Sequence, residues 1–226
     1  MVFAYILCFT PTGYNKKKER AMRYKFILLE GGDCVGKSTI GRQLYEYITT
    51  HEVVLTREPG GSPGAEDIRK LVLEGEIGRW NKETELLLFF AARMNHLEKL
   101  IIPSLQAGKV VITDRFDLST WVFQAETRPE LHDLFFQMHQ RVWNQLFPWI
   151  SKAKGILLDA PAEVVLERMV TRTGGKDRME AVDKKTISRR RDSYIDAAEL
   201  KPGYDIVDAS QENHQVFKEI LTILDL

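Results

Sequence analysis

Short apolar runs alternate with amphipathic stretches along most of this chain. Lys25-Phe26-Ile27-Leu28-Leu29-Glu30 reads as a buried strand. A glycine-rich turn follows, then a helix from about Lys37 to Thr50. Glu52-Val53-Val54-Leu55 reads as a second strand, ending in the loop Thr56 to Gly64. Five of those nine loop residues are Gly or Pro, which makes a stiff, shaped turn. Helical periodicity covers about Ala65–Glu74 and Lys82–Gln106. Gly108 stops the second of these, and Val110–Thr113 is the third strand. Further helical stretches are expected at Leu118–Glu126 and Pro129–Phe147. Gly155–Asp159 is a fourth strand, and Pro161 opens a helix to Thr171. A polar, basic, glycine-containing stretch comes next, then a helix over Lys184–Leu200, a strand over Tyr204–Val207 and a last helix. Strands alternating with helices predict an α/β fold, a parallel sheet flanked by helices on both faces.

Composition narrows the function. Lys plus Arg and Asp plus Glu number 32 each, so the net charge is zero. The basic excess of a polynucleotide or membrane-surface binder is missing. Cys8 and Cys34 are the two cysteines, and neither sits in a CxxC pair or a Cys/His cluster. His96, His132 and His139 show no metal-ligand spacing. A reducing, cytoplasmic setting fits. No apolar run reaches the roughly 18 residues of a membrane span. Val2–Phe9 is apolar, but its basic residues, Lys16 to Arg20, come after it, which reverses the order of a secretory signal. Residues 1–21 read as a flexible extension, and residues 22–226 as a single domain.

Chemistry enters at Gly31-Gly32-Asp33-Cys34-Val35-Gly36-Lys37-Ser38, which fits the P-loop pattern G-x-x-x-x-G-K-[ST]. Its glycines let successive N–H groups turn inward on phosphate oxygens, and the loop opens onto a helix N-terminus. Lys37 is placed to bridge the β- and γ-phosphates of ATP, and Ser38 to ligate Mg²⁺, with Thr39 following. The expected fold is therefore of the P-loop NTPase type, in three layers. The N-K-x-D base reader of a GTPase is absent. Asp114 followed by Arg115 at a strand end suggests a second anion beside the nucleotide. Another P-loop deoxynucleotide or deoxynucleoside kinase, or a non-catalytic nucleotide-binding ATPase, stays open at this point.

Four ordered segments resemble the thymidylate kinase family: Glu30 through Thr39, Thr56-Arg57-Glu58-Pro59-Gly60-Gly61, Leu88-Phe89-Phe90-Ala91-Ala92-Arg93, and Asp114-Arg115-Phe116-Asp117-Leu118-Ser119-Thr120. The likeness runs closely over about residues 24–125 and loosely over 155–210. It implies transfer of the ATP γ-phosphoryl group to dTMP by a nucleoside-monophosphate kinase that uses Mg²⁺ and forms a homodimer. Arg57 and Arg115 would hold the acceptor's 5′-phosphate. Phe89 would stack on thymine, and Arg93, one helical turn on, would donate to a base carbonyl. Asp33 would meet the sugar 3′-hydroxyl, Ser119 and Gln124 would line the base pocket, and Asp114 would orient water on Mg²⁺ or the attacking phosphate. Many members carry an arginine in the P-loop immediately after the acid matching Asp33, whereas others bring one from a lid. Cys34 holds that place here. A lid at about 172–182 carries Arg172, Lys176 and Arg178, and the resemblance implies Arg172 or Arg178 as the closing cation. Glycine is common after the Gln124 position, where this chain has Ala125. Arg189-Arg190-Arg191 reads as a solvated helix face.

Overall fold

The computed structural model describes residues 22–76, 78–171 and 183–226. The extension at 1–21 and the lid at 172–182 lie outside them. Five strands form one parallel sheet: β1 (Phe26–Glu30), β2 (Val53–Arg57), β3 (Val110–Asp114), β4 (Ala153–Asp159) and β5 (Tyr204–Asp208), in the order β2-β3-β1-β4-β5. All five residues of β1 are buried because helices cover both faces of the sheet, and Phe26 to Leu29 read as a continuous apolar run ending in Glu30. Its alternate residues feed two cores. Ile27 and Leu29 pack with Ile40 and Leu44 of α1 (Lys37–Tyr47) and with Val216 and Ile220 of α9 (Asn213–Leu224). Phe26 and Leu28 pack on the other face with Leu86 and Phe90 of α3 (Lys82–His96) and Phe135 of α6 (His132–Leu146). Three layers result.

The remaining helices are α2 (Pro63–Leu73), α4 (Ile102–Gln106), α5 (Asp117–Thr120), α7 (Ala162–Thr171) and α8 (Lys184–Glu199). Two expected helices are interrupted. The one predicted over 82–106 widens to a π segment at Leu97–Ile101, where the Ile102 N–H donates five residues back to Leu97. Pro103 follows directly, and it has no N–H to continue an α-ladder. The stretch predicted at 118–126 is α5 followed by a second π segment, Trp121–Ala125, closed by a 2.8 Å bond from the Glu126 N–H to the Trp121 carbonyl. β2 also runs two residues into the expected loop. The register then sets Arg57 opposite Asp114.

Candidate active site

The carboxyl ends of β1, β3 and β4 converge where the strand order changes direction, the usual ligand edge of an open parallel sheet. Gly31, Cys34 and Gly36 have φ of 134°, 58° and 101°, so the chain curls tightly between β1 and α1. A Cβ on Gly31 would lie 2.3 Å from the Leu158 carbonyl oxygen, so only glycine lets the loop lie this close to β4. Lys37 Nζ donates to the carbonyls of Gly31 (3.1 Å) and Gly32 (2.5 Å). Burial lowers its pKa to about 8 and Arg115 adds to the effect, against the opposing pull of Asp114, Asp33 and Glu30. The Ser38 hydroxyl donates to Asp114 Oδ2 at 2.6 Å. Thr39 lines the same cavity, whereas the Val35 side chain turns into the core, leaving only its backbone for a phosphate.

Past β3, Arg115 adopts φ 71° and folds back over the P-loop. Its Nη1 donates to the Gly31 carbonyl (2.9 Å), Ser119 Oγ (3.1 Å) and the Tyr194 hydroxyl (3.0 Å), and its Nη2 to Asp33 at 2.5 Å. Burial works against its charge, but the oxygens of Tyr194, Asp33, Asp114 and Glu30 outweigh that and keep it protonated. Behind it stands Glu30, fully buried at the end of β1. Its carboxylate accepts from the N–H groups of Phe116 (2.8 Å) and Ser119 (3.2 Å) and from the Ser119 hydroxyl (2.5 Å). Burial pushes the Glu30 carboxyl above its ordinary range, opposed by these hydrogen bonds and by Arg115. Since the Ser119 proton goes to Glu30, the Tyr194 hydroxyl donates to Ser119 Oγ across 2.8 Å.

A cavity of about 470 Å³ opens between this cradle and α3. Phe89, half-buried, and Arg93 face it from one side of α3, and Phe123 and Gln124 face it from the π segment. Arg93 is 2% exposed, and its Nη1 has no hydrogen-bond partner. Gln124 is 1% exposed, and its Nε2 is likewise unpartnered. Arg57 lines the mouth, held at 3.2 Å from both oxygens of Glu66 and still half exposed. Every expected site residue among those described therefore meets at one edge of the sheet. Arg172 and Arg178 lie outside the described residues.

Several participants carry no signal in the sequence reading: Glu30 as a bracket, Tyr194, Phe123, and Glu58 and His96 behind Arg93. The basic run on α8 also departs from its expected role as a solvated face. Arg189 pairs with Glu126, Arg190 lies 4.3 Å over the Phe123 ring, and Arg191 grips both oxygens of Asp159 at 2.7 Å. Each finds a partner distant in sequence, which a local charge pattern does not contain. No helix among the described residues is long and apolar enough to cross a membrane.

Comparison with known proteins finds similar chains. The profile of the family described as thymidylate kinase matches residues 29–220. A thymidylate kinase of Dinoroseobacter shibae is 41% identical over 203 residues, covering 88% of this chain and 96% of the relative. One of Ruegeria pomeroyi is 42% identical over 202 residues, covering 88% and 93%. The crystal structure of thymidylate kinase from Ehrlichia chaffeensis superposes with a TM-score of 0.68 at 28% identity, covering 89% of this chain and 98% of that one.

Proposed function

This chain belongs to the thymidylate kinase family, and from that premise we propose that it transfers the γ-phosphoryl group of ATP to dTMP, giving ADP and dTDP. The observation that carries the choice of acceptor is a pair of buried donors with no protein partner, Arg93 Nη1 and Gln124 Nε2, on two residues that line a cavity beside a phosphate cradle. Buried donors without acceptors are costly, and a ligand with ring carbonyls satisfies them. Thymine presents two carbonyls, whereas cytosine presents an amino group where one of them stands. Phe89 supplies an aromatic face for the ring, and Asp33 an acceptor for a sugar hydroxyl.

In the transfer, an oxygen of the acceptor 5′-phosphate attacks Pγ and the bond from Pγ to the ADP oxygen breaks. Positioning and charge neutralisation carry such a reaction, with little need for a strong base. Arg115 spends its Nη1 protons and one Nη2 proton on the protein, which leaves Nε–H and one further N–H for the acceptor phosphate. Arg57 meets the same phosphate from the mouth. Lys37 has a third N–H for a phosphate oxygen of ATP. Ser38 Oγ and Asp114 Oδ2, 2.6 Å apart, are hard oxygens of the kind that hold Mg²⁺ together with substrate phosphates. When bound there, Mg²⁺ supplies further neutralisation of the phosphate charge. By the same family resemblance we expect a homodimer acting in the cytoplasm.

ADP release measured over a panel of dNMPs, NMPs and nucleosides tests the acceptor, with dTMP expected to give the highest kcat/KM. Preference for dGMP, dCMP or a nucleoside by about tenfold or more overturns the assignment. Cys34 cannot neutralise a phosphate, so we assign the closing cation to Arg172 or Arg178. Alanine at the residue that supplies it lowers kcat strongly and leaves dTMP affinity nearly unchanged. Wild-type turnover in both variants refutes the lid-borne cation.

A further inference from the structure

We propose that Glu58 and His96 are positioning residues for acceptor selection, holding the Arg93 guanidinium so that its two Nη1 protons face the acceptor base. The inference rests on the pyrimidine reading of the cavity given above. A guanidinium has five N–H donors. Arg93 Nε donates to Glu58 Oε2 at 2.6 Å, and Nη2 donates to the Phe116 carbonyl (2.8 Å) and Thr120 Oγ (2.9 Å). Three donors are thus fixed by protein, and the two on Nη1 are left without a protein partner, on a residue that lines the cavity.

The lock depends on Glu58, which cannot hold its orientation from Arg93 alone. Its other oxygen lies 3.0 Å from His96 Nδ1, and His96 Nε2 lies 2.8 Å from Thr56 Oγ. Burial favours the neutral form of Glu58, but Arg93 and His96 outweigh it and hold the carboxyl below its ordinary range. An ionised carboxylate only accepts, so His96 Nδ1 carries the proton. Its Nε2 faces the Thr56 hydroxyl on the other side of the ring. The chain of contacts runs from β2 through His96 and Glu58 to Arg93 and on to α5. Arg93, Glu58 and His96 are 2%, 5% and 0% exposed, so water does not replace a lost member. Gly61 lets the loop close over this chain: a Cβ there would lie 2.3 Å from His96 Nε2 and 2.4 Å from Thr56 Oγ. The Glu58 and His96 side chains bond to Arg93, to Thr56 and to each other, on the base side of the cavity and away from the P-loop.

A donor held in one direction accepts a carbonyl and rejects an amino group, so the support sets discrimination as well as affinity. The test measures kcat/KM for dTMP and dCMP, KM for ATP, and melting temperature in His96→Leu, His96→Asn and Glu58→Gln. Asparagine returns an amide N–H close to the place of Nδ1. His96→Leu and Glu58→Gln are expected to lower the dTMP-to-dCMP ratio about tenfold or more, the scale on which loss of an oriented buried contact acts. KM for ATP stays within about twofold, as for a change confined to one substrate's site. His96→Asn recovers most of the ratio. An unchanged ratio in the folded variants, or parallel losses for ATP and dTMP, overturns the proposal. If the leucine and glutamine variants do not fold, Thr56→Val decides the matter, since it removes only the hydroxyl facing Nε2: a lowered ratio supports the support chain and an unaltered one refutes it. Wild-type protein that fails to phosphorylate dTMP refutes the acceptor assignment instead, and so separates the two failures.

Discussion

Replacing Arg115 by alanine is expected to lower kcat/KM for dTMP by about 10³-fold, the scale of removing one partner from a buried, hydrogen-bonded charge contact. Its guanidinium is assembled before any acceptor arrives, with Asp33, Gly31, Ser119 and Tyr194 fixing both Nη atoms. The remaining N–H groups are therefore aimed without further ordering. Lysine at this position restores the charge but not the fork, so Arg115→Lys recovers little. The φ of 71° places no special demand on the arginine, since alanine tolerates it equally poorly. Steady-state kinetics with each substrate varied in turn checks the result. A loss under tenfold, or one that falls on ATP instead of dTMP, removes Arg115 from the acceptor site.

Lys37→Ala should lower kcat by about 10²-fold or more, because it takes away charge aimed at the transferring group in a water-poor site. The same residue makes a pH prediction. With its pKa lowered to about 8 in the free protein, the lysine is charged below that value and neutral above it. kcat/KM for ATP, which reports on the free enzyme, is expected to fall as pH rises through about 8. In the alanine variant this limb of the profile disappears. Turnover retained in Lys37→Ala means that the loop binds nucleotide without promoting transfer, and a flat wild-type profile to pH 10 means that the lysine stays protonated.

The sheet and the P-loop were legible in the sequence because both are local. Four residues of β1, Phe26 to Leu29, are apolar in succession, and a glycine turn and a helix follow at once. Phe89 and Arg93 were legible together because one helical turn separates them. The two π segments were not, since an α-helical and a π-helical run share nearly the same apolar spacing and differ by one residue of phase. Glu58, His96 and Tyr194 were invisible as site parts for another reason. Their partners lie 35 to 79 positions away, as in Arg93 with Glu58 or Arg115 with Tyr194. The arginines of α8 failed in the same way: a run of three like charges predicts solvent, and here each arginine found a carboxylate or a ring from another element.

Glu30 has a mechanical consequence. It ends the strand from which the P-loop springs, and its carboxylate grips the first turn of the segment bearing Arg115 and Ser119. Donor and acceptor platforms are thus two ends of one stiff bracket, without a joint between them. The gap across which the phosphoryl group must pass is set when the chain folds. The brace between the two platforms is therefore a buried carboxylate shared by both, present before either substrate is bound.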